Sequence, residues 1–504
     1  KKEGNRYTVL TAWHVVSGNR PGEEVGIYTP DGKQNQFDQG SIQRLGEVDM
    51  AVLTFSSSGA YEVASIGDIK KVKHDQSIYV AGFPLNNSQS LRYEKGEVVA
   101  NAEVGIDQGY QLLYDNKTES GMSGGVLLNS DGELVGLHGR GERDEQSSKG
   151  ELVMKTGVNQ GVPITYYNLF TSGSPVVIAK TTATTADDYL VQAKASQLKK
   201  GREQAVIKLT TQALALRSNV KGYFLRAFAK YRLKDTQGAI ADYSKAIKIN
   251  PQYVPAIYNR ANAKKTLEDY QGAIADHNKA IEINPQYAAA FNNRGTNKFL
   301  LGDHQGAIAD YSKAIEINPK YAIAYYNRGK AKSDLKDYQE AIADFDKAIA
   351  INPELTMTYN SRGIAKYGLK EMEGAIADYN KAIELDPKNA RAYNNRANAK
   401  SDLEDYQGVI PDYNTAIELD PQFAETYNGR GSAKHRLKDM EGAIADYNKA
   451  IELDPKHAIA YANRGNIKKN LGDNQGAIVD YTSAIELNPQ DVYAYDMRGF
   501  AKMN

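Results

Sequence analysis

The stretch AIADYSKAIKINP at residues 239–251 returns as AIADHNKAIEINP at residues 273–285, 34 residues further on. The same interval separates Pro251, Pro285, Pro319, Pro353, Pro387, Pro421, Pro455 and Pro489, and likewise Arg226, Arg260, Arg294, Arg328, Arg362, Arg396, Arg430, Arg464 and Arg498. A fixed period of this length means one supersecondary unit stacked many times. Each unit reads as two helices closed by proline, which lacks an amide hydrogen and restricts the residue before it. Around residue 340 the two are expected over about 324–335 and 338–351. Ala341 and Ala348 are small because the paired helices approach closely there. Pro411 departs from the pattern by falling inside a second helix. It lies near enough to the start to be tolerated, with a kink as the expected consequence.

A 34-residue period with a small residue at position 8, Ala at 20 and 27, an aromatic near 24 and Pro at 32 resembles the tetratricopeptide repeat. On this reading residues 220–491 hold eight repeats, 186–219 a degenerate one, and 492–504 the first helix of a truncated one. The resemblance implies an all-α, right-handed solenoid whose concave face takes protein partners. Asn259, Asn293, Asn327, Asn395 and Asn463 recur at one position of the first helices, with Asn292, Asn360, Asn394 and Asn428 one place earlier. An amide both donates and accepts, which suits binding of a peptide backbone. Asn262 and Asn293 also fit the carboxylate clamp of some co-chaperone repeats, but Tyr258 and Ile323 stand where that clamp needs Lys, so the clamp is rejected. The repeated Arg has two readings. It is a ligand contact, or it pairs with the Asp that recurs at 242, 276, 310, 344, 378, 412, 446 and 480. The pairing is favoured, because a partly buried guanidinium needs a carboxylate. His277, at the aromatic position, is expected to be packing.

Residues 1–170 follow a different grammar. Short apolar or alternating runs at 7–10, 50–55, 77–81, 111–114 and 134–137 are separated by Pro30-Asp31-Gly32, Phe83-Pro84 and Asn129-Ser130-Asp131-Gly132. That is the pattern of an all-β barrel or sandwich. Residues 171–185, with four threonines between 181 and 185, read as a linker. The whole is thus expected to be multidomain, all-β and then all-α.

Composition narrows the function. Of 504 residues, 62 are Lys or Arg and 62 are Asp or Glu, so no net field favours nucleic acid or an anionic membrane. No run approaches the ~20 apolar residues of a membrane span. The chain has no cysteine, which excludes disulfides and thiolate metal sites. It begins at Lys1 and ends within a repeat, so a processed or truncated start is expected, with any signal peptide upstream.

Three segments in the first half carry chemistry: Thr11-Ala12-Trp13-His14-Val15-Val16, Val48-Asp49-Met50-Ala51-Val52-Leu53 and Gly121-Met122-Ser123-Gly124-Gly125. Singly, each has a plain structural explanation as a core-edge histidine, a strand-start carboxylate and a glycine-rich turn. Together, in this order, they resemble the His, Asp and Ser motifs of the trypsin-like peptidase superfamily over about residues 1–170. The resemblance implies a double β-barrel serine endopeptidase with Ser123 as nucleophile, His14 as base and then acid, and Asp49 as its orienter. The amides of Gly121 and Ser123 would form the oxyanion hole. No metal or organic cofactor is implied.

There are departures from the trypsin pattern. Met122 stands where digestive proteases have the Asp that pairs with a freed N-terminus, so that activation mode is not expected. Val126 replaces a usual Pro, and the chain is expected to lack the first strand or two of the N-terminal barrel. Thr118 and His138 occupy the two places that line the specificity pocket, in a setting similar to glutamyl endopeptidases. A hydroxyl and an imidazole N–H would receive a carboxylate, so cleavage after Glu, and also Asp, is expected, reinforced by Lys117 and Arg140 if they face inward. The alternative is a buried strand histidine bonded to backbone. His74 and residues 142–149 receive no role.

The combination is similar to bacterial, especially cyanobacterial, proteins, and an extracytoplasmic location is expected from it. The rival reading is an interaction scaffold whose protease domain is vestigial.

Overall fold

The computed structural model describes residues 2–17, 27–28, 34–35, 39–58, 61, 63–82, 92–102, 110–115, 124–140, 145–146, 152–153, 159–175, 183–197 and 201–503. They fall into two compact units, 1–293 and 294–504. In the first unit β structure comes first. Its strands are β1 (Lys2–Glu3), β2 (Arg6–Thr11), β3 (Ile27–Tyr28), β4 (Gln34–Asn35), β5 (Gln43–Arg44), β6 (Ala51–Ser56), β7 (Ser77–Gly82), β8 (Arg92–Asn101), β9 (Leu112–Tyr114), β10 (Val126–Leu128), β11 (Leu134–Arg140), β12 (Glu145–Gln146), β13 (Leu152–Val153) and β14 (Asn159–Pro163). A four-stranded sheet has the order β1-β2-β6-β5, and a closed barrel has the order β10-β11-β14-β9-β8-β7. Thus the region is β-barrel in class, closed in its second half. The runs at 7–10, 50–55, 77–81, 111–114 and 134–137 all lie in or at strands.

Alternation explains the barrel interior. Ile78 and Val80 of β7, Leu112 and Tyr114 of β9, Leu127 and Val135 are all buried in one cluster. A second cluster joins sheet to barrel through Leu45, Val48, Met50, Tyr110, Leu137 and Val162. The turn at Asn129 forms as its sequence demands. Asn129 Oδ1 accepts from the amides of Asp131 at 3.0 Å and Glu133 at 2.9 Å, and Gly132 takes φ +77°. The other two turn signals, at Pro30 and Pro84, lie outside the described residues.

Helices α1 (Trp13–Ser17) and α2 (Thr165–Thr171) belong to the β region; α3 (Ala186–Gln197), α4 (Glu203–Leu216) and α5 (Val220–Arg232) begin the helical part. All three share a core with the barrel. Val99, Ala100 and Leu113 of its wall cluster with Leu190, Val191, Val206, Ala213 and Leu225. Asp187 Oδ2 accepts from the Asn101 amide at 3.0 Å, and Lys221 lies 3.4 Å from Asp115. Thr185 caps α3 by accepting from Asp188 N at 3.1 Å, while Asp188 accepts from Thr185 N at 2.9 Å. Among the described residues no helix is long and apolar enough to cross a membrane.

Further on, helical pairs follow the 34-residue period in both units. The pair around residue 340 is Ala322–Asp334 and Tyr338–Ile351; the first starts two residues earlier than its sequence suggested. Glycine at position 8 has a packing cause. A Cβ at Gly329 would stand 2.8 Å from Phe345, and one at Gly363 2.6 Å from Tyr379, the aromatic residues of the facing helices. His277 fills that aromatic place fully buried, with its ring 5.5 Å from Tyr258.

The Arg–Asp ladder is present. Arg328 donates to Asp344 from Nε at 2.9 Å and Nη2 at 2.6 Å, and to Ser312 of the preceding helix from Nη1 at 3.0 Å. Lys332 adds a second cation to Asp344 at 3.0 Å. One side chain therefore fastens three helices.

Pro411 acts differently from expectation. Instead of kinking a full helix it delays one: the helix is Ile410–Leu419, 10 residues where its counterparts have 14, and Pro411 sits in its first turn. The missing amide and the clash with the carbonyl four residues back leave residues 406–409 as turns.

Candidate active site

Strand pairing brings two of the three chemical segments to one place. Thr11, the last residue of β2, pairs with Ala51, the first of β6. Helix α1 with the backbone of His14 leaves that end of β2, and Asp49 precedes β6 at the same end. Asp49 is held by a tight turn in which Leu45 N donates to Met50 O at 3.0 Å and Arg44 Nε to Val48 O at 3.2 Å. The carboxylate is 1% exposed. A buried carboxylate needs donors, and the Tyr110 hydroxyl donates to its Oδ2.

The third segment reaches the same corner through Gly124. That glycine has φ +85°, and a Cβ on it would lie 2.5 Å from Thr11 Oγ1, 3.3 Å from Ala12 N and 3.5 Å from Val15 Cγ2. Only glycine fits so close an approach. Gly124 is the residue after Ser123, and Val15 the residue after His14. Ser123, Gly121, Met122, Thr118 and Lys117 lie outside the described residues.

His138 is 2% exposed on β11. Its carbonyl accepts from Gly124 N at 2.7 Å, and its amide donates to Gly125 O at 2.8 Å. Its Nδ1 makes a short hydrogen bond with the Tyr114 hydroxyl, whereas the Gln160 carbonyl lies 3.5 Å from that hydroxyl. Burial pushes the Tyr114 phenol well above its usual pKa, so it keeps its proton. Where the phenol donates to Nδ1 the imidazole carries its hydrogen on Nε2, and where Nδ1 donates the phenol turns to the Gln160 carbonyl. Tyr110 and Tyr114 carry no motif, and nothing in the sequence marks them among 34 tyrosines.

In the helical part, the recurrent amides are partly engaged within the protein. Asn293 Nδ2 donates to Tyr258 Oη at 2.8 Å and Asn262 Oδ1 at 2.9 Å; Asn395 donates to Asn360 and Asn463 to Asn428, each at 3.1 Å. These bonds join first helices of neighbouring repeats.

Comparison with known proteins agrees with this division. Residues 2–137 match the family of the trypsin-like peptidase domain. Tetratricopeptide repeat families match residues 220–253, 254–287, 322–355, 390–423, 424–457 and 458–491, and a further TPR repeat family matches 298–336 and 366–403. The serine protease Do-like HtrA of Lactobacillus helveticus is 27% identical over 157 residues, covering 30% of this chain and 36% of that protein. The Bacillus subtilis protein of the same name is 28% identical over 145 residues, covering 27% and 31%. The chain thus spans about a third of the length of these relatives. Among solved structures, MamA is similar at 27% identity and TM-score 0.31, covering 34% of this chain and 94% of that one. YrrB, described as a TPR protein with an unusual peptide-binding site, is similar at 23% identity and TM-score 0.32, covering 38% and 97%.

Proposed function

We propose that this chain, which carries a trypsin-like peptidase domain followed by tetratricopeptide repeats, is a serine endopeptidase whose repeats recruit protein substrates or partners. His14 takes the proton of Ser123 as its Oγ attacks the scissile carbonyl carbon. Asp49 orients the imidazole and stabilises its charged form. The Gly121 and Ser123 amides hold the oxyanion until the C–N bond breaks, and His14 returns the proton to the leaving amine. Water then attacks the acyl-enzyme by the same route in reverse, freeing the acid and Ser123.

The observation that carries this reading is Gly124, packed without a side chain against the segment 11–15 at the end of β2 that Asp49 also flanks. A structural turn has no need for that three-way approach. Labelling of the full chain by a fluorophosphonate probe, lost in Ser123→Ala, is the expected result. Absence of labelling in the unaltered chain would leave the scaffold reading instead.

The acidic preference, with Thr118 and His138 in the pocket, draws support from the His138–Gly124 hydrogen bond, which sets this histidine beside the residue following the nucleophile. A hydrogen on Nε2 of this buried ring would be a donor suited to a substrate carboxylate. A panel of chromogenic peptides tests it: faster turnover after Arg, Lys or Phe than after Glu would overturn the preference.

A further inference from the structure

The hydrogen bond between Tyr110 and Asp49 crosses from the segment entering β9 to the turn before β6, and both residues are 1% exposed. It exists because position 139 has no side chain. A Cβ on Gly139 would stand 2.1 Å from Tyr110 Cε1 and 2.6 Å from its hydroxyl. At the same place the β11–β14 register slips, between His138 and Arg140. A strand interrupted by a glycine and a bulge gives up ladder regularity, and here the space gained is filled by one phenol aimed at one carboxylate. An apolar core needs no such hydroxyl.

We propose that Tyr110 is a positioning residue for catalysis and that Gly139 is the residue that admits it. The hydroxyl holds Asp49 by Oδ2 in a single rotamer, so that the carboxylate meets the His14 imidazole in a fixed direction. It does so as a neutral donor, leaving the negative charge of Asp49 in place to stabilise the imidazolium. The inference rests on the reading of His14, Asp49 and Ser123 as the catalytic group.

Tyr110→Phe keeps the ring and deletes the donor. In the full chain, kcat for a peptide substrate is expected to fall about tenfold, with KM within about twofold of the original. The acid limb of kcat/KM is expected to move to higher pH, because an Asp49 relieved of one donor holds the imidazolium proton more strongly. A packing role alone would lower the melting temperature and leave that limb unmoved. Gly139→Ala, which pushes the ring aside, is expected to reproduce both changes, and it decides the matter if Tyr110→Phe does not fold. Unaltered kcat and an unmoved limb, with Ser123 still labelled by fluorophosphonate, would overturn the proposal. Failure of the unaltered chain to label at Ser123 would instead remove the parent reading, and this one with it.

Discussion

The carbonyl of His138 accepts the amide hydrogen of Gly124 at 2.7 Å, so the strand with the proposed pocket histidine is bonded to the residue after the proposed nucleophile. On the proposed function, substrate selection and nucleophile placement would depend on one local structure. The glycine is under double constraint there, by φ +85° and by Thr11 Oγ1 at 2.5 Å from a would-be Cβ. Gly124→Ala is expected to displace the Ser123 loop and lower kcat/KM by about a hundredfold. Peptide hydrolysis and a thermal melt on the same sample check this; full activity would show that the close approach is dispensable.

Tyr114→Phe removes the partner of His138 Nδ1 without changing the ring. On the reading that the phenol donates to Nδ1 and so keeps the hydrogen on Nε2, its loss removes the donor presented to a substrate carboxylate for part of the population. We expect kcat/KM for Glu-containing peptides to fall about tenfold and that for a Gln analogue to change little. An equal fall for both would mean that Tyr114 serves packing alone.

In the ladder, Asp242 offers a pH test. Burial would raise its pKa, but hydrogen bonds from Arg226 and Lys230 more than offset this and hold it below the usual value. A carboxylate whose folded pKa is depressed contributes stability above its unfolded pKa of about 3.9, and loses it as pH falls through the lower folded value. The melting temperature should therefore fall on acidification below about pH 4. Asp242→Asn should melt lower than the unaltered chain at neutral pH and lose less on acidification. Parallel curves for the two would contradict the assignment.

The cluster formed by Val99, Ala100 and Leu113 with Leu190 and Val191 makes barrel and first helices one folding unit. Leu190 is 1% exposed, so Leu190→Ala is expected to cost about 2–5 kcal/mol. Hydrogen exchange should rise together at β8, β9 and α3. A rise confined to α3 would show that the barrel stands without it.

What was legible in the sequence depended on distance along the chain. Arg328 and Asp344 are 16 residues apart in a unit that repeats, so their pairing could be read from periodicity, as could the buried aromatic facing Gly329. Asp49 could be placed because an apolar strand follows it at once. Tyr110 and Gly139 could not. Their relation to Asp49 spans 61 residues in one case, and a register slip at the end of β11 creates it. At Pro411 the sequence points to a kink and the helix is short instead, since a proline that close to a helix start shortens the helix more cheaply than it bends it. The recurrent asparagines suit a ligand by their chemistry; Asn293 and Asn395 also bond to the neighbouring repeat's first helix.

The common core of barrel wall and helical hairpin gives the molecule a lever. Leu113 belongs to that core, and three residues before it stands Tyr110, whose hydroxyl grips Asp49. A tilt of α3 and α4 cannot be absorbed by slack at that point, because close-packed side chains transmit displacement. On the proposed function, strain imposed on the first hairpin would reach the strand whose root holds the carboxylate.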